Sequence, residues 1–245
     1  MSEPCTLITG AASGIGRATA CRLAADRILI LNDRDGDGLE ATLAECARPN
    51  RHHVWQYDLS DIESLGDHFL DLLRGKDLVI ECLIHCAAVA AVLPMRALEH
   101  RIVRKVMNVN VFSAIEIVRL LCSKKVNQGA LKDVVLISSI YSIRGVKGYV
   151  PYATSKGALD SFMQCLALEL APDVRVNSVL PGAIPTPIAA RAFEDPNWVA
   201  AEEPKYPFGF GKVDDIAQTV CFLLSEGARW ITGQKIIVDG GRTIN

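Results

Sequence analysis

Seven short runs dense in Val, Ile and Leu alternate with helical patterns along almost the whole chain, and nothing else limits its possible folds so strongly. The runs are TLITG (6–10), ILILND (28–33), HHVWQYD (52–58), LVIECLIHCA (78–87), DVVLISS (133–139), VRVNSVL (174–180) and KIIVDGG (235–241). Helical stretches separate them at 14–25, up to 43, and at 62–75, 99–125, 155–171 and 215–226. Their apolar residues recur at helical spacing. Runs that are apolar throughout suit strands of a parallel sheet buried on both faces. Right-handed crossovers then put helices on each side, so the expected fold class is α/β, a doubly wound parallel sheet of about seven strands.

Length and composition narrow the rest. At 245 residues, half of them hydrophobic and 22 % charged, the chain suits one domain over 1–245 with a full core. A net charge of −2 without a long basic run gives no reason to expect nucleic acid or an anionic membrane as partner. No stretch reaches the ~20 apolar residues of a membrane helix, and CTLITG begins at Cys5 with no basic leader before it. Eight scattered cysteines fit a reducing, cytoplasmic compartment. Cys82, His85 and Cys86 read as a strand running into a turn rather than a metal site, because no second cluster completes four ligands. One stretch breaks the rhythm. Residues 186–212, rich in Pro, Ala and aromatics, follow the sixth strand and are expected to form a mobile lid at the carboxyl edge of the sheet.

TGAASGIG (9–16) falls between the first strand and the first helix. Gly10, Gly14 and Gly16 permit a tight turn, and the free N–H groups of the following helix suit a diphosphate. Seventeen residues after Gly16 the second strand ends in Asn32-Asp33-Arg34. A carboxylate there accepts hydrogen bonds from both ribose hydroxyls and repels a 2′-phosphate, whereas an arginine attracts one. Asp33 ends the strand, and Ser13 before Gly14 supplies no helper cation, so the balance favours NAD over NADP. Asp58, ending the third strand, is placed either for the adenine amino group or as the cap of the next helix, a role open to Ser60 as well.

Tyr152 and Lys156 stand four apart, on one face of a helix. A phenol of pKa about 10 is neutral at pH 7. An ammonium ~4 Å away at an effective dielectric of ~20 favours the phenolate by ~4 kcal/mol before desolvation, which would make Tyr152 an acid or base at physiological pH. Ser139, thirteen residues earlier, ends the fifth strand and can hold the substrate oxygen.

With TGAASGIG, NVN (108–110), LISS, YATSK, NSVLPGAIPT and ITGQKIIVDGG, the chain resembles the short-chain dehydrogenase/reductase family from Thr6 to Gly241. The resemblance implies a single-domain Rossmann fold and reversible hydride transfer between NAD(H) and a secondary alcohol or ketone. It implies Tyr152 as general acid/base, Ser139 orienting the carbonyl, Lys156 on the nicotinamide ribose and Asn110 in a proton relay. It places the cofactor along Gly10, Ser13, Gly14, Ile15, Gly16, Asp33, Arg34, Asp58, Leu59, Ala87, Tyr152, Lys156, Pro181, Gly182, Ile184 and Thr186. It also implies a homotetramer, or a homodimer, built on the long helices and the last strand. One motif departs: His85-Cys86-Ala87-Ala88 stands where the family has Asn-Asn-Ala-Gly. Ala88 adds a methyl group where the family glycine lets the backbone pass close to the cofactor.

Two alternatives stay open. Arg34 suits an NADPH-dependent reductase of 3-oxoacyl thioesters. A non-catalytic nucleotide-binding regulatory protein would keep the fold but is expected to lose Tyr152, Lys156 or Ser139. The aromatics of 186–212 suit an apolar or ring-shaped substrate or simple packing of the lid. Arg144, Lys147 and Tyr149 suit a carboxylate or hydroxyls.

Overall fold

Seven parallel strands form one sheet in the order β3-β2-β1-β4-β5-β6-β7. The structure, a computed structural model, describes residues 4–245. The strands are β1 Pro4–Thr9, β2 Ile28–Asp33, β3 His53–Gln56, β4 Val79–His85, β5 Asp133–Ile137, β6 Arg175–Pro181 and β7 Lys235–Val238. The helices are α1 Gly14–Leu23, α2 Gly36–Glu45, α3 Ile62–Lys76, α4 His100–Met107, α5 Ser113–Leu121, α6 Lys124–Asn127, α7 Val150–Glu169, α8 Ala190–Phe193, α9 Pro196–Glu202 and α10 Val213–Leu223.

Alternate residues of each strand feed opposite layers, as the two-residue period of a strand requires. Leu7, Ile30, Leu83 and Val134 pack with Phe69 of α3, Ile117 of α5 and Met163 of α7. Ile8, Leu31, Ile84 and Val135 pack with Ala20 of α1, Leu39 of α2 and Val220 of α10. Both faces are therefore covered, as the apolar runs implied. Each fully buried Leu, Ile or Phe contributes about 1.5–3 kcal/mol. From β1 the chain winds outward to β3, then crosses back to lay β4 on the other side of β1. The carboxyl ends of β1 and β4 thus flank the point where winding reverses, which is where a crevice opens in such sheets.

Local chemistry moved some expected boundaries. The segment 99–125 does not form one continuous helix. Between α4 and α5, Asn108–Phe112 widens into a π turn, with the Ser113 amide donating to the Asn108 carbonyl. Helix α7 begins at Val150, not 155, because Pro151 starts its first turn, so Tyr152 and Lys156 lie in its first two turns. The cap of α3 is Asp61, whose carboxylate accepts from the Ser64 amide at 3.3 Å, and neither Asp58 nor Ser60 has that role. No helix among the described residues is long and apolar enough to cross a membrane.

Candidate active site

The turn after β1 is held by contacts that leave no room for a side chain. Gly10 has φ +68°, and a Cβ there would lie 2.7 Å from the Ala87 amide nitrogen. A Cβ on Gly16 would lie 2.0 Å from the Gly10 carbonyl oxygen. The turn, the first residues of α1 and the chain leaving β4 therefore meet backbone to backbone. Thr9 locks the same junction: its Oγ1 accepts from the Ala87 amide (3.2 Å) and lies 2.9 Å from His85 Nδ1. Thr9 and His85 are register partners across β1 and β4. Sequence reasoning missed Thr9, whose only signal was its position as the last residue of β1.

At the end of β2 the Asp33 carboxylate accepts from the amides of Ala12 (3.2 Å), Arg34 (2.8 Å) and Asp35 (3.2 Å). It is thus fixed toward the glycine turn, whereas Arg34 is exposed. Arg17, one residue into the helix past Gly16, is occupied by the Ala12 carbonyl (2.6 Å) and the Thr42 hydroxyl (3.0 Å). Asp58 accepts from the Ser60 amide at 2.9 Å. Burial alone would raise its pKa, but the Ser60 hydrogen bonds, with Arg34 and Lys105, leave it below the ordinary carboxylate value.

A cleft of about 1090 Å³ runs along these residues. Gly10, Ser13, Gly14, Ile15, Gly16, Asp33, Arg34, Asp58, Leu59, Ala87 and Thr186 line it, as expected, and so does Ala88. Its far end is walled by Tyr141, Arg144, Lys147, Tyr149, Arg191 and Trp198. Tyr152 and Lys156, expected there too, lie behind it, and Pro181, Gly182 and Ile184 are not on its wall. Pro181 and Ile184 are buried, and Gly182 and Ile184 line a second cavity of about 400 Å³ beside Tyr206. They sit one layer behind the cleft because Gly182 packs on Asp239, which a Cβ would meet at 2.9 Å.

Ser139, Tyr152, Lys156 and Asn110 come together behind Tyr141 and Tyr149. The Ser139 hydroxyl is near enough to Tyr152 to lower its pKa and accepts from the Tyr141 amide at 3.1 Å. The Tyr152 ring lies 6.4 Å from Tyr141 and 6.2 Å from Tyr149, both edge-on. Lys156 Nζ donates to the Ile137 carbonyl at 2.7 Å and stands 5.6 Å from the Tyr152 ring centre. The π turn brings Asn110 inward, where its amide group accepts from the Val89 amide (2.8 Å) and donates to the Val89 carbonyl (3.0 Å) and Ser155 Oγ (2.9 Å). Ser155 in turn donates to the Tyr152 carbonyl at 2.7 Å.

The expected ammonium-driven drop in the Tyr152 pKa is not what the polypeptide produces. Burial pushes the phenol up to about 12, with Ser139 lowering and Tyr149 raising it. Burial also brings Lys156 down to about 8, against the raising influence of Cys86 and Asp160. Desolvation outweighs the pair attraction because the ammonium points at a carbonyl rather than at the phenol. The departing motif is buried as well. His85 is pushed down to about 3, first by burial and then by Lys156, and its Nε2 faces the carbonyls of Val109 and Asn110 outside hydrogen-bonding geometry. Cys82, by contrast, lies on the far layer against Arg27 at 3.0 Å. No three His, Cys, Asp or Glu side chains among the described residues converge as metal ligands, and all eight cysteines are free thiols.

Residues 186–212 form two short helices, α8 and α9, and return to their starting point. The Gly211 amide donates to the Ala183 carbonyl at 3.2 Å, and the Ala183 amide to Tyr206 Oη at 3.1 Å. Inside the excursion Trp198 stacks on Phe210 at 5.7 Å, Phe193 meets both edge-on at 5.3 and 5.0 Å, and Tyr206 meets Phe210 at 5.2 Å. The aromatics pack mainly among themselves. Trp198 also reaches the cleft, whereas Phe208 is exposed.

The family profile described as "Enoyl-(Acyl carrier protein) reductase" matches residues 10–243. The chain is 32 % identical to the D-erythrulose reductase of Gallus gallus over 96 % of this chain and 94 % of that protein. It is 29 % identical to "Carbonyl reductase [NADPH] 2" of Sus scrofa over the same shares. A solved structure described as "4-hydroxyisoleucine dehydrogenase complexed with NADH" superposes with a TM-score of 0.91 at 26 % identity, covering 99 % of each chain.

Proposed function

The chain belongs to the short-chain dehydrogenase/reductase family and is an NAD(P)-linked oxidoreductase of alcohols and ketones, and we propose that within this class it uses NAD(H) and Tyr152 as acid/base. The observation that carries the cofactor reading is the Asp33 carboxylate. It lines the cleft at the end of β2, fixed by three amides, where a 2′-phosphate would meet its charge.

The residues present fit a dinucleotide. The turn at Gly10–Gly16 has the close backbone approach that a diphosphate needs, with the first amides of α1 free to receive it. The bound cofactor supplies a hydride acceptor or donor; the chain does the rest. Ser139 holds the substrate oxygen and keeps the Tyr152 phenol aimed at it. Tyr152 donates the proton when a ketone is reduced and accepts it when an alcohol is oxidised. A phenol raised to about 12 is fully protonated at neutral pH, ready for the reductive direction. Lys156, lowered to about 8, retains its charge in most molecules at pH 7 and passes protons beneath Tyr152. Asn110 positions this floor through Ser155 and Val89.

Residues 186–212 act as the lid over a single 1–245 domain. The exposed apolar side chains Phe112, Ile115 and Leu168 on one side, and Phe222, Trp230 and Ile237 on another, support a homotetramer. The free thiols support a cytoplasmic setting. The deciding experiment is a fluorescence titration of the purified protein with NADH and NADPH, beside Asp33→Ala and Arg34→Ala. NADH binds more tightly, and Asp33→Ala weakens it about tenfold, the effect of hydrogen bonds to a charged group. Tighter NADPH binding that is lost in Arg34→Ala would give the cofactor choice to Arg34 instead.

A further inference from the structure

Three cations at the substrate end of the cleft have no partner. Arg144 lies on the loop between Ser139 and α7, Lys147 follows on the same loop, and Arg191 faces the cleft from α8 in the 186–212 excursion. None of them makes a hydrogen bond or ion pair with a described residue. The acids on this wall do not neutralise them. Glu202 is paired with Lys205 (2.5 Å) and Arg242 (3.3 Å). Asp195 accepts from the Asn197 amide at 3.0 Å as the cap of α9. The half-buried Arg144 acts on the phenols of Tyr141 and Tyr206, and Tyr141 lies edge-on to Tyr152.

The half-buried Arg144 and the exposed Arg191 line the same cleft from two separate segments, and each guanidinium offers a planar anion paired N–H donors. The Asp195 charge on the same wall disfavours a dianion such as a phosphate monoester more than a monoanion. We propose that the substrate is a hydroxy acid, or the corresponding oxo acid in reverse, whose carboxylate is held between Arg144 and Arg191 while its secondary hydroxyl meets Ser139 and Tyr152. This assignment rests on the dehydrogenase reading above. Reduction of the oxo acid uses the protonated Tyr152 directly; in oxidation the phenol first gives its proton to solvent, and the secondary alcohol then loses its C–H hydride to oxidised NAD and its O–H proton to the Tyr152 phenolate. The product is the ketone, and the carboxylate is unchanged. Tyr141 and Tyr149 supply hydrogen bonds to further hydroxyls.

The test measures kcat/KM of the NAD-loaded enzyme with D-gluconate beside sorbitol and sorbitol 6-phosphate, and with both enantiomers of 3-hydroxybutyrate beside their methyl esters. Wild type, Arg144→Gln and Arg191→Gln are compared, with NADH affinity measured for each. At least one hydroxy acid exceeds its neutral counterpart by about tenfold or more, each substitution raises its KM about tenfold, and NADH affinity is unchanged. A preference for the neutral or phosphorylated compounds, or an acid preference that survives both substitutions, overturns the carboxylate assignment alone. Failure to bind NADH overturns the dehydrogenase reading and this assignment with it.

Discussion

The two ends of the cleft are held by different materials. At the glycine turn, backbone meets backbone: Gly10 against Ala87, Gly16 against Gly10, and Thr9 Oγ1 against the Ala87 amide. At the far end, side chains on short helices and loops form the wall, and an aromatic stack confined to one excursion supports it. Backbone contacts leave no tolerance for a methyl group, whereas stacked rings can repack. One end can thus keep a fixed cofactor geometry while the other varies.

The sharpest way to break this comparison is a pair of identical substitutions. Gly16→Ala puts a Cβ 2.0 Å from a backbone oxygen and is expected to cost about 3 kcal/mol in urea unfolding and to weaken NADH binding. Gly145→Ala, on the loop at the substrate end, meets nothing within 4 Å and stays within about 0.5 kcal/mol. Equal costs would abolish the distinction.

His85 sharpens the comparison from beneath the floor. Its folded pKa of about 3 lies below the ordinary imidazole value of 6.5. Its stability contribution is therefore present in full above pH 6.5 and is lost as pH falls toward 3, because the unfolded chain binds the proton first. Relative to His85→Asn, the wild type loses about 2 kcal/mol of unfolding free energy between pH 7 and pH 5. Parallel pH profiles for the two proteins would mean that His85 is already accessible to protons in the fold.

A smaller effect than at Gly16 or His85 is expected in the excursion. Phe210→Ala removes one ring of the stack, costs about 1 kcal/mol and raises the substrate KM, while NADH affinity holds. A loss of NADH affinity would join the two ends that the comparison separates.

The alternation of apolar runs was enough to read the sheet, since strands covered on both faces have few other sequence solutions. The glycine turn, Asp33 and Asp58 could be placed on the cleft from sequence, because they follow or end β1, β2 and β3 at the carboxyl edge of the sheet. Other features depend on three-dimensional neighbours and left no local trace. The π turn at Asn108–Phe112 keeps helical periodicity on both sides, and only the inward pull of Asn110 onto Val89 and Ser155 reveals its use. The spacing of Tyr152 and Lys156 suggested a lowered phenol pKa, but spacing does not register the Ile137 carbonyl that takes the ammonium. Pro181 ends the sixth strand and Gly182 and Ile184 follow it, yet packing on Asp239 set them one layer back. Arg144 was visible as a charge near the site. Arg191 had no sequence signal, since its place on the cleft wall depends on how the excursion folds.

The meeting of Gly211 with Ala183 gives residues 184–210 the form of a handle soldered at both ends to one spot on the body. A handle of this kind can be exchanged. Doubling the length of a flexible loop adds only about 0.6 kcal/mol to its closure entropy, and neither attachment point belongs to the glycine turn. A new excursion, grafted beyond Thr186 and Pro187, which pack on Gly14, would give the sheet another chemical appetite and leave its nucleotide grip as it is.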